Sequence, residues 1–476
     1  MSPGPGAAPS ARRGPSGGAP GTALLVLAEA GLLAVLGLVP GAAATPWPAL
    51  GLWAAAFALY AAAALRHDRR PVPRGAMWAG ALALRLPLLF LLPRFSDDIW
   101  RYLWDGWVGL HGLNPFAHAP SSPALDAIAT PWRGLINHPG IRTIYPPGAQ
   151  LVFTALAALG PSVLVFKAAW TAADLAVGWV LDRLASRRGG PPALAPVLWL
   201  WSPLVTVEVA WSGHVEPLGV LPMLAALLVL RGGPAASDGG AGAAAREARP
   251  AGRGRALAAG LLLGTGAAVK LAPAAILPAL GRRRGWAAAA AGLAVAALLY
   301  LPYLGAGGAL LSGLGAYADR WRFDPGLFRI PAALLGDPRR ARIAAAAVVG
   351  GVAGWGVLRR WPVERAAFWT LGAALLLSPT IHPWYLLWVL PLAFLRRSRA
   401  WVLWGGLVFL GYAGLDAYHA TGTWPLPGWL ALLIHVPFLA LLATDAALAH
   451  RRGEREQVPP GEQEPEGRAA RSASER

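Results

Sequence analysis

Long apolar runs are the feature of this sequence that most restricts how it can fold. The first three lie near residues 21 to 40, 48 to 65 and 76 to 93, each close to the ~20 residues that a helix needs to cross a bilayer. Hydrophobic residues make up 56% of the 476 positions and charged residues only 14%, well below the charge of a typical soluble protein. We therefore predict an all-α, polytopic integral membrane protein.

Later apolar runs predict further spans, but two stretches are ambiguous. Residues 147 to 182 are interrupted at Gly160 and Pro161, so they form either one long bent span or two helices of which one is re-entrant. The run 256 to 281 is split around Lys270 and Pro273, which indicates a helical hairpin reaching only the outer face. The remaining spans are expected near 286 to 304, 338 to 358, 364 to 380, 383 to 395, 400 to 418 and 428 to 447. The expected total is about 13 transmembrane helices.

Arginine clusters predict the orientation of these spans. Cytoplasmic loops carry an excess of Lys and Arg, and the second apolar run is followed by Arg66, Arg69, Arg70 and Arg74. Other clusters fall on the same predicted inner side, at Arg282 to Arg284, Arg359 and Arg360, Arg396, Arg397 and Arg399, and Arg451 and Arg452. Residues 94 to 147 are then a large first extracytoplasmic loop of a multi-pass protein of the plasma (inner) membrane.

Composition also indicates the parts of the chain outside the bilayer. Residues 1 to 20 and 450 to 476 have no long apolar run and are predicted to be disordered cytoplasmic tails around a membrane domain at 21 to 449. The low-complexity, basic segment 231 to 255 is predicted to be a cytoplasmic linker. The net charge of +18 reflects the positive-inside arginines. A nucleic-acid partner is not expected, because no segment pairs aromatic residues with a contiguous basic groove.

The first external loop carries the densest run of polar and aromatic residues. Between Ser96, a suitable N-cap, and Gly112, residues 97 to 110 form an amphipathic pattern at 100° per residue. One face would carry Asp98, Arg101, Tyr102 and Asp105, and the other Trp100, Leu103, Trp104, Trp107 and Leu110. Such a helix lies flat in the membrane interface, with tryptophans at headgroup depth and carboxylates toward water or a cavity. A simple interfacial anchor is the alternative, although an anchor needs no adjacent acid pair.

Several polar residues far apart in sequence fall on the predicted outer side. They are Asp97, Asp98, Arg101, Asp105, Asn114, Asn137, His138, Tyr145, His214, Glu216, Lys270, Arg320, Arg322 and His382. Ionisable groups at the ends of spans are costly, so their common location predicts a shared aqueous cavity. Individually, Lys270 could snorkel, Glu216 could start a helix, and His382 could belong to an aromatic belt. Arg320 and Arg322 lie on the predicted outer side, where the positive-inside rule expects few arginines. Anion binding would explain their presence there.

Motifs for several other chemistries are missing from the sequence. There is no GxxxxGK[ST] loop, GxSxG elbow or HExxH helix, which argues against ATP-driven transport, serine hydrolysis and zinc proteolysis. The chain has no cysteine, so disulfides and thiol metal sites are excluded. The histidines are scattered, so no cofactor is expected and a divalent-cation site has no support.

Seven sequence blocks resemble those of bacterial GT-C superfamily glycosyltransferases, in particular family 87-like polyprenyl-phosphate-mannose-dependent mannosyltransferases. They are SDDIWRYLWDG, GLNPF, INHPGIRTIYPP, GHVEPLG, KLAPAAILP, RWRFDPGLF and SPTIHPWYLLWVLPL. The resemblance extends from roughly residue 80 to residue 395. The acid pair with its YPP partner is the most specific part. Trp100 and Trp107 stand where many members have Tyr and Arg, and GHVEP has Glu where Asp is common.

This resemblance implies an inverting transfer of a hexose, with mannose as the expected sugar, at the extracytoplasmic face. The donor would be a polyprenyl-phosphate sugar in the membrane lipid, and the acceptor a glycan or a lipid-linked hydroxyl. Asp97 or Asp98 would be the general base. Adjacent helical residues point about 100° apart, so only one is expected to act. The helical wheel favours Asp98, whereas the family pattern favours the first acid.

The same resemblance implies roles for the other candidates. Arg101 would keep the catalytic carboxylate ionised, and Tyr145 with Asn137 would line the acceptor side. Cations would hold the leaving phosphate, and the candidates are Arg320, Arg322, Lys270 and His382. The expected substrate-binding set is Arg101, Asp105, Asn137, Tyr145, His214, Glu216, Lys270, Arg320, Arg322 and His382.

Two other functions are compatible with parts of the sequence. A transporter or flippase of lipid-linked substrates would suit the broken helices, but internal repeats of the kind many transporters show are not evident. A non-catalytic scaffold would predict that Asp97→Asn and Asp98→Asn have no effect.

Overall fold

The chain folds into helices that pack around one large hydrophobic core. The computed structural model describes residues 19–39, 46–186, 190–232 and 252–457, and 77% of these described residues are helical. No β-strand occurs in these described ranges, and Phe323 and Thr380 form an isolated parallel bridge. The predicted all-α, polytopic architecture is confirmed.

The helices follow the predicted apolar runs in the first half of the chain. They are α1 (Ala19–Leu38), α2 (Trp47–Arg69), α3 (Arg74–Leu89), α4 (Asp98–Leu110), α5 (Pro147–Leu159), α6 (Val163–Ala185), α7 (Leu194–Leu200), α8 (Pro203–Thr206) and α9 (Pro217–Arg231). A π-helical turn, Val207–Trp211, continues α8, and the loop 94 to 147 contains 3₁₀ turns at Pro123–Ile128 and Pro131–Leu135.

The second half is more interrupted. Its α-helices are α10 (Arg253–Val269), α11 (Leu277–Arg284), α12 (Trp286–Leu298), α13 (Ser312–Arg320), α14 (Arg329–Leu335), α15 (Pro338–Leu358), α16 (Val363–Leu376), α17 (Leu390–Leu395), α18 (Arg399–Leu407), α19 (Leu415–Thr421) and α20 (Gly428–Gln457). Short 3₁₀ helices at Ala272–Ile276, Leu301–Ala309, Gly326–Phe328, Pro383–Trp388 and Val408–Gly414 connect them.

Six helices within the described residues are long and apolar enough to cross a membrane. They are Pro20–Leu38, Trp47–Arg69, Val163–Ala185, Pro338–Leu358, Arg399–Tyr418 and Gly428–Ala447. Two bent pairs, with bends of 42° and 68°, raise the number to eight if each pair is one span. The expected total of about 13 is therefore not confirmed. The number is lower than expected because some apolar runs are divided into short helices. The run expected to span the membrane at 383 to 395, for example, forms a 3₁₀ helix and the six-residue α17.

The ambiguous stretches are broken at the predicted points. Gly160, with φ +155°, separates α5 from the candidate span α6. The 3₁₀ helix Ala272–Ile276 separates α10 from α11 just after Lys270. Both predicted tails fall largely outside the described residues, as does the linker between residues 233 and 251. Helix α20 continues to Gln457, past residue 450 where the second tail was expected to begin.

The amphipathic helix predicted after Ser96 forms, but one of its tryptophans is covered by other residues of the loop 94 to 147. Ser96 Oγ accepts a hydrogen bond from the Asp98 N–H at 3.2 Å, and Gly112, with φ +72°, follows the end of the helix. Trp104 is only 1% exposed because Leu125, Ile136 and Trp132 of the same loop cover it. The loop thus has a small apolar core of its own, which helical periodicity alone does not show.

A buried lysine fixes the segment that leads into α4. Lys167 Nζ donates to the carbonyl oxygens of Leu88, at 3.0 Å, and Leu91, at 2.6 Å. The Leu88 carbonyl lies in the last turn of α3, where helix carbonyls lack intrahelical partners, and the Leu91 carbonyl lies just beyond the helix. The cation therefore satisfies the end of α3 and holds the short connection to the acid pair.

Helices α10 and α12 cross at very short distance. A Cβ atom on Gly264 would lie 2.1 Å from the Gly292 carbonyl oxygen, and one on Gly260 would lie 1.9 Å from that of Ala288. Small residues let membrane helices approach closely and pack through their backbones. This crossing supports the end of α10, from which Lys270 projects.

Gly264→Ala is expected to destabilise the protein by about 1–3 kcal/mol, because the added methyl group forces the two backbones apart. Gly350→Ala is the matched control, since a Cβ atom at this position of α15 meets nothing within 4 Å. We expect thermal unfolding in detergent to show a lower midpoint for Gly264→Ala and no decrease for Gly350→Ala. Equal midpoints for the two variants would contradict the close crossing.

Candidate active site

Side chains from distant parts of the chain line one open cavity of about 390 Å³. The candidates among them are Asp97, Asp98, Arg101, Asn137, His138, Tyr145, Lys270, Arg320, Arg322 and His382. Asp105, His214 and Glu216 do not line the cavity, but each contacts a residue that does. Asn114 instead donates to the Tyr303 carbonyl oxygen at 3.0 Å.

Asp98 lies at the centre of the polar contacts in this cavity. Asn137 Nδ2 donates to its Oδ1 atom at 3.3 Å, and the Tyr145 hydroxyl donates to its Oδ2 atom at 3.3 Å. The side chain of Asp98 is 22% exposed, and His214 Nδ1 lies 3.8 Å from Oδ2. Asp98 is thus a carboxylate that is held by two donors and is open to the cavity. Asp97 lines the same cavity at the N-cap of α4.

Arg101 pairs with Asp105 and not with either member of the acid pair. Its Nε donates to Asp105 Oδ1 at 2.9 Å, and Nη1 donates to the Ile141 carbonyl oxygen at 2.9 Å. Gln150 Nε2, from α5, donates to the other Asp105 oxygen at 3.1 Å. The i,i+4 spacing on α4 brings Arg101 and Asp105 together. Arg101 therefore fixes the loop that carries Asn137 and Tyr145, which differs from the role that the sequence suggested.

Lys270 is held at the wall of the cavity by a buried carboxylate. Its Nζ lies 2.8 Å from Glu216 Oε1, and the two side chains are 19% and 0% exposed. The ammonium group is 5.3 Å from the centre of the Tyr145 ring and 5.9 Å from that of Tyr385. A cation between aromatic faces and a carboxylate is well fixed in position.

A second, mainly apolar groove of about 250 Å³ adjoins the cavity. The two spaces share Ile144, Tyr145, Lys270, Tyr317 and Tyr385, and the hydroxyl groups of the last two tyrosines are hydrogen-bonded to each other. The groove is lined further by Pro146, Leu271, Ala272, Leu314, Leu371, Ala374, Leu375, Ser378, Trp388 and Val389. Lys270 is thus a cation at the junction between a polar and an apolar space.

Four rings form a stack behind the acid pair. The centroid separations are 4.4 Å from Phe323 to His382, 4.2 Å from His382 to Trp384 and 3.8 Å from Trp384 to His214. Burial, together with the positive charge of Lys270, lowers the pKa of His382 to about 3. His382 is therefore neutral at physiological pH and packs as a ring, so it is not one of the cations that the sequence suggested.

Arg320 and Arg322 are exposed at the edge of the cavity. Arg322 Nη1 donates to the Trp321 carbonyl oxygen at 2.6 Å. Across the described part of the chain, neither guanidinium lies within ion-pair distance of a carboxylate. The adjoining turn is fixed because Ile381 N–H donates to the Phe323 carbonyl oxygen at 2.9 Å and His435 pairs with Asp324 at 2.8 Å.

Some residues of the site were missed by the sequence analysis. Arg142, Tyr317, Tyr385 and Tyr412 line the cavity, and Glu208 lies behind it, paired with His214 at 3.3 Å. The aromatic residues were indistinguishable from an interfacial belt. Glu208 had a usable signal, since it is an isolated acid within the apolar run VTVEVAW. In the ranges that the structure describes, no three His, Cys, Asp or Glu residues are grouped to hold a metal ion.

One comparison with known proteins gives a match. The model of the MptA_B family, described as alpha-(1->6)-mannopyranosyltransferase, N-terminal domain, matches residues 17–288. This is more than half of the 476 residues, and it includes the acid pair, Tyr145, His214 and Lys270. No curated protein and no solved structure matches the chain.

The lowered pKa of His382 predicts a pH-dependent stability. The unfolded chain binds a proton near the ordinary histidine pKa of about 6.5, whereas the folded protein does so only near 3. The folded protein therefore loses stability as the pH falls below about 6.5, because the unfolded state binds more protons there. His382→Phe keeps a stacked ring and removes this titration. Thermal unfolding at several pH values should show a shallower decline for the variant, and parallel curves would contradict the assignment.

Proposed function

The chain belongs to the alpha-(1->6)-mannopyranosyltransferase family and is a membrane mannosyltransferase of the GT-C type, and from this premise we propose its donor, face and mechanism. The donor is a polyprenyl-phosphate mannose, and the acceptor is a hydroxyl group of a glycan or a lipid-linked glycan. Transfer takes place with inversion on the extracytoplasmic face of the plasma membrane. The narrower assignment to family 87-like enzymes stays a prediction.

The observation that carries this proposal is the junction of the polar cavity with the apolar groove at Lys270. A polyprenyl-phosphate sugar has an apolar chain, a charged phosphate and a polar sugar in that order. The groove, the ammonium group of Lys270 and the cavity with Asp98 offer matching environments in the same order. A soluble nucleotide-sugar donor would have no use for an apolar groove beside the cation.

Asp98 is the proposed general base. Its carboxylate faces the cavity and accepts hydrogen bonds from Asn137 and Tyr145, which orient it toward a bound hydroxyl group. It removes the proton as the acceptor oxygen attacks the anomeric carbon. Attack on the side opposite the phosphate inverts the configuration. Asp97 also lines the cavity, but the two donors and His214 are grouped around Asp98.

The leaving group needs cations and no general acid, because a phosphate departs as an anion. Lys270 lies at the point where the phosphate of a groove-bound lipid would enter the cavity. A fixed cation stabilises the charge that develops there without reorganisation. Arg320 and Arg322 add positive potential at the cavity edge, where they also suit an anionic acceptor lipid.

The family description supports a primary hydroxyl group, on carbon 6 of a mannose residue, as the acceptor. Some aromatic side chains line the cavity but not the groove, among them Trp384, Tyr412 and Trp424. Flat aromatic faces suit the apolar faces of sugar rings. Membership of a transferase family favours this function over a transporter or flippase, which would bind the same lipid without transferring its sugar.

Asp98→Asn is expected to lower kcat by ~100-fold or more, in the range for a lost general base. Asp97→Asn should have a clearly smaller effect, since Asp97 is not the base in this proposal. Transfer from radiolabelled polyprenyl-phosphate mannose in membranes with equal expression measures both. A larger loss for Asp97→Asn would exchange the two roles, and full activity of both variants would refute the mechanism.

Ala374→Trp is expected to block the groove. It should raise KM for a long-chain polyprenyl donor by about tenfold, through lost apolar burial, and affect a short-chain donor much less. Ala346→Trp is the control, because Ala346 is exposed on the candidate span α15. Equal effects of Ala374→Trp on long and short donors would show that the groove does not hold the lipid chain.

A further inference from the structure

A line of polar groups continues from Asp98 into the protein. His214 Nδ1 lies 3.8 Å from Asp98 Oδ2, and His214 Nε2 lies 3.3 Å from Glu208 Oε2. The Tyr412 hydroxyl donates to both Glu208 oxygens, at 3.0 and 3.2 Å. His214 and Glu208 are completely buried, so neither can contact a substrate.

The backbone is specifically built to place His214 between the two carboxylates. The π-helical turn Val207–Trp211 carries Glu208, and π turns often occur at functional sites. The His214 N–H donates to the Glu208 carbonyl oxygen at 2.9 Å. Between them, Gly213 has φ +79°, and a Cβ atom there would lie 3.0 Å from Ile99. Trp384, stacked at 3.8 Å, fixes the plane of the imidazole.

The buried imidazole lacks well-formed hydrogen bonds in the structure. Neither ring nitrogen has a partner of full hydrogen-bond geometry in the described residues, and the nearest carboxylates are those of Asp98 and Glu208. Leaving a buried polar atom unsatisfied costs about 1–3 kcal/mol. Burial, followed by the positive charge of Lys270, holds the pKa of His214 well below its usual range. A neutral imidazole has one N–H donor and one bare nitrogen.

We propose that Glu208 and His214 are positioning residues for the general base, an inference that rests on the proposed function. In this proposal the Nε2–H of His214 points to the Glu208 carboxylate, 3.3 Å away, which favours the tautomer in which Nδ1 is bare and faces Asp98. Once Asp98 has taken the acceptor's proton, its new O–H donates a hydrogen bond to Nδ1. The hydrogen bond from Asp98 to Nδ1 of His214 is thus formed only as the reaction proceeds. An interaction that is stronger in the transition state than in the ground state raises kcat.

The proton and electron balance of the step is simple. The acceptor O–H bond breaks while its oxygen forms a bond to the anomeric carbon of mannose. The bond from that carbon to the phosphate oxygen breaks, and its electron pair leaves with the polyprenyl phosphate. The proton moves to Asp98 Oδ2 and stays there, shared as a hydrogen bond with His214 Nδ1. Water in the cavity takes it up after the product leaves.

The test compares an oxygen and a sulfur acceptor, because a thiol ionises readily and its thiolate needs no base. The acceptors are octyl α-mannoside and its analogue with a thiol in place of the primary hydroxyl group. The donor is radiolabelled polyprenyl-phosphate mannose. Glu208→Gln should lower kcat for the oxygen acceptor by about 30-fold, part of the effect of general-base catalysis, with KM unchanged. The same variant should transfer mannose to the thiol at nearly the wild-type rate.

A second variant and a matched control exclude a simple folding effect. His214→Phe keeps a ring on Trp384 and should show the same selective loss with the oxygen acceptor. Glu29→Gln changes another completely buried glutamate, in α1, and should leave both rates within about twofold of wild type. Thermal midpoints in detergent are measured for each variant.

The outcomes separate the inference from the function on which it rests. Equal losses with both acceptors, in variants of wild-type stability, would show a merely structural role and overturn the inference. Wild-type kcat in Glu208→Gln or His214→Phe with the oxygen acceptor would also overturn it. Wild-type protein that transfers mannose to neither acceptor would overturn the proposed function, and the inference with it.

Discussion

The buried ion pair between Arg101 and Asp105 is the interaction on which the candidate site depends. Through it, α4 is tied to the Ile141 carbonyl oxygen of the loop 94 to 147 and to Gln150 of α5. Such pairs contribute little net stability, since desolvating two charges offsets their attraction. Their value here is geometric. This clamp helps to hold the loop residues Asn137 and Tyr145 against Asp98, together with the hydrogen bond from Gln150 Nε2 to the Tyr145 carbonyl oxygen.

The charges of the site are separated by the fold into distinct environments. Lys270 is held by Glu216 at the boundary with an apolar groove, whereas Asp98 is held by neutral donors inside the polar cavity. The imidazole of His382 is kept neutral by its surroundings, so it adds a ring without adding a charge. A cation and a carboxylate thus face one space without neutralising each other. The proposed transfer from a phosphate carrier to a hydroxyl group requires this separation.

Predictions from sequence succeeded where the governing interaction is local. The length of an apolar run and the periodicity of a helix depend on neighbouring residues, so the spans at 21 to 40 and 48 to 65 and the helix after Ser96 were found. The number of spans was not confirmed, because short 3₁₀ and broken helices divide the later apolar runs. The partner of Arg101 was misjudged, since both Asp98 and Asp105 lie within one turn and only packing decides between them.

By itself, the sequence determined that this chain is a helical membrane protein with a set of scattered polar residues, because the hydrophobic effect and the cost of burying charge act in any fold that the chain could take. Only the tertiary structure decided which of those residues meet. Tyr412 reaches Glu208 across 204 positions, and Lys270 reaches Glu216 from another helix. Contacts of this kind depend on how broken helices are packed against one another, and no local pattern encodes that packing.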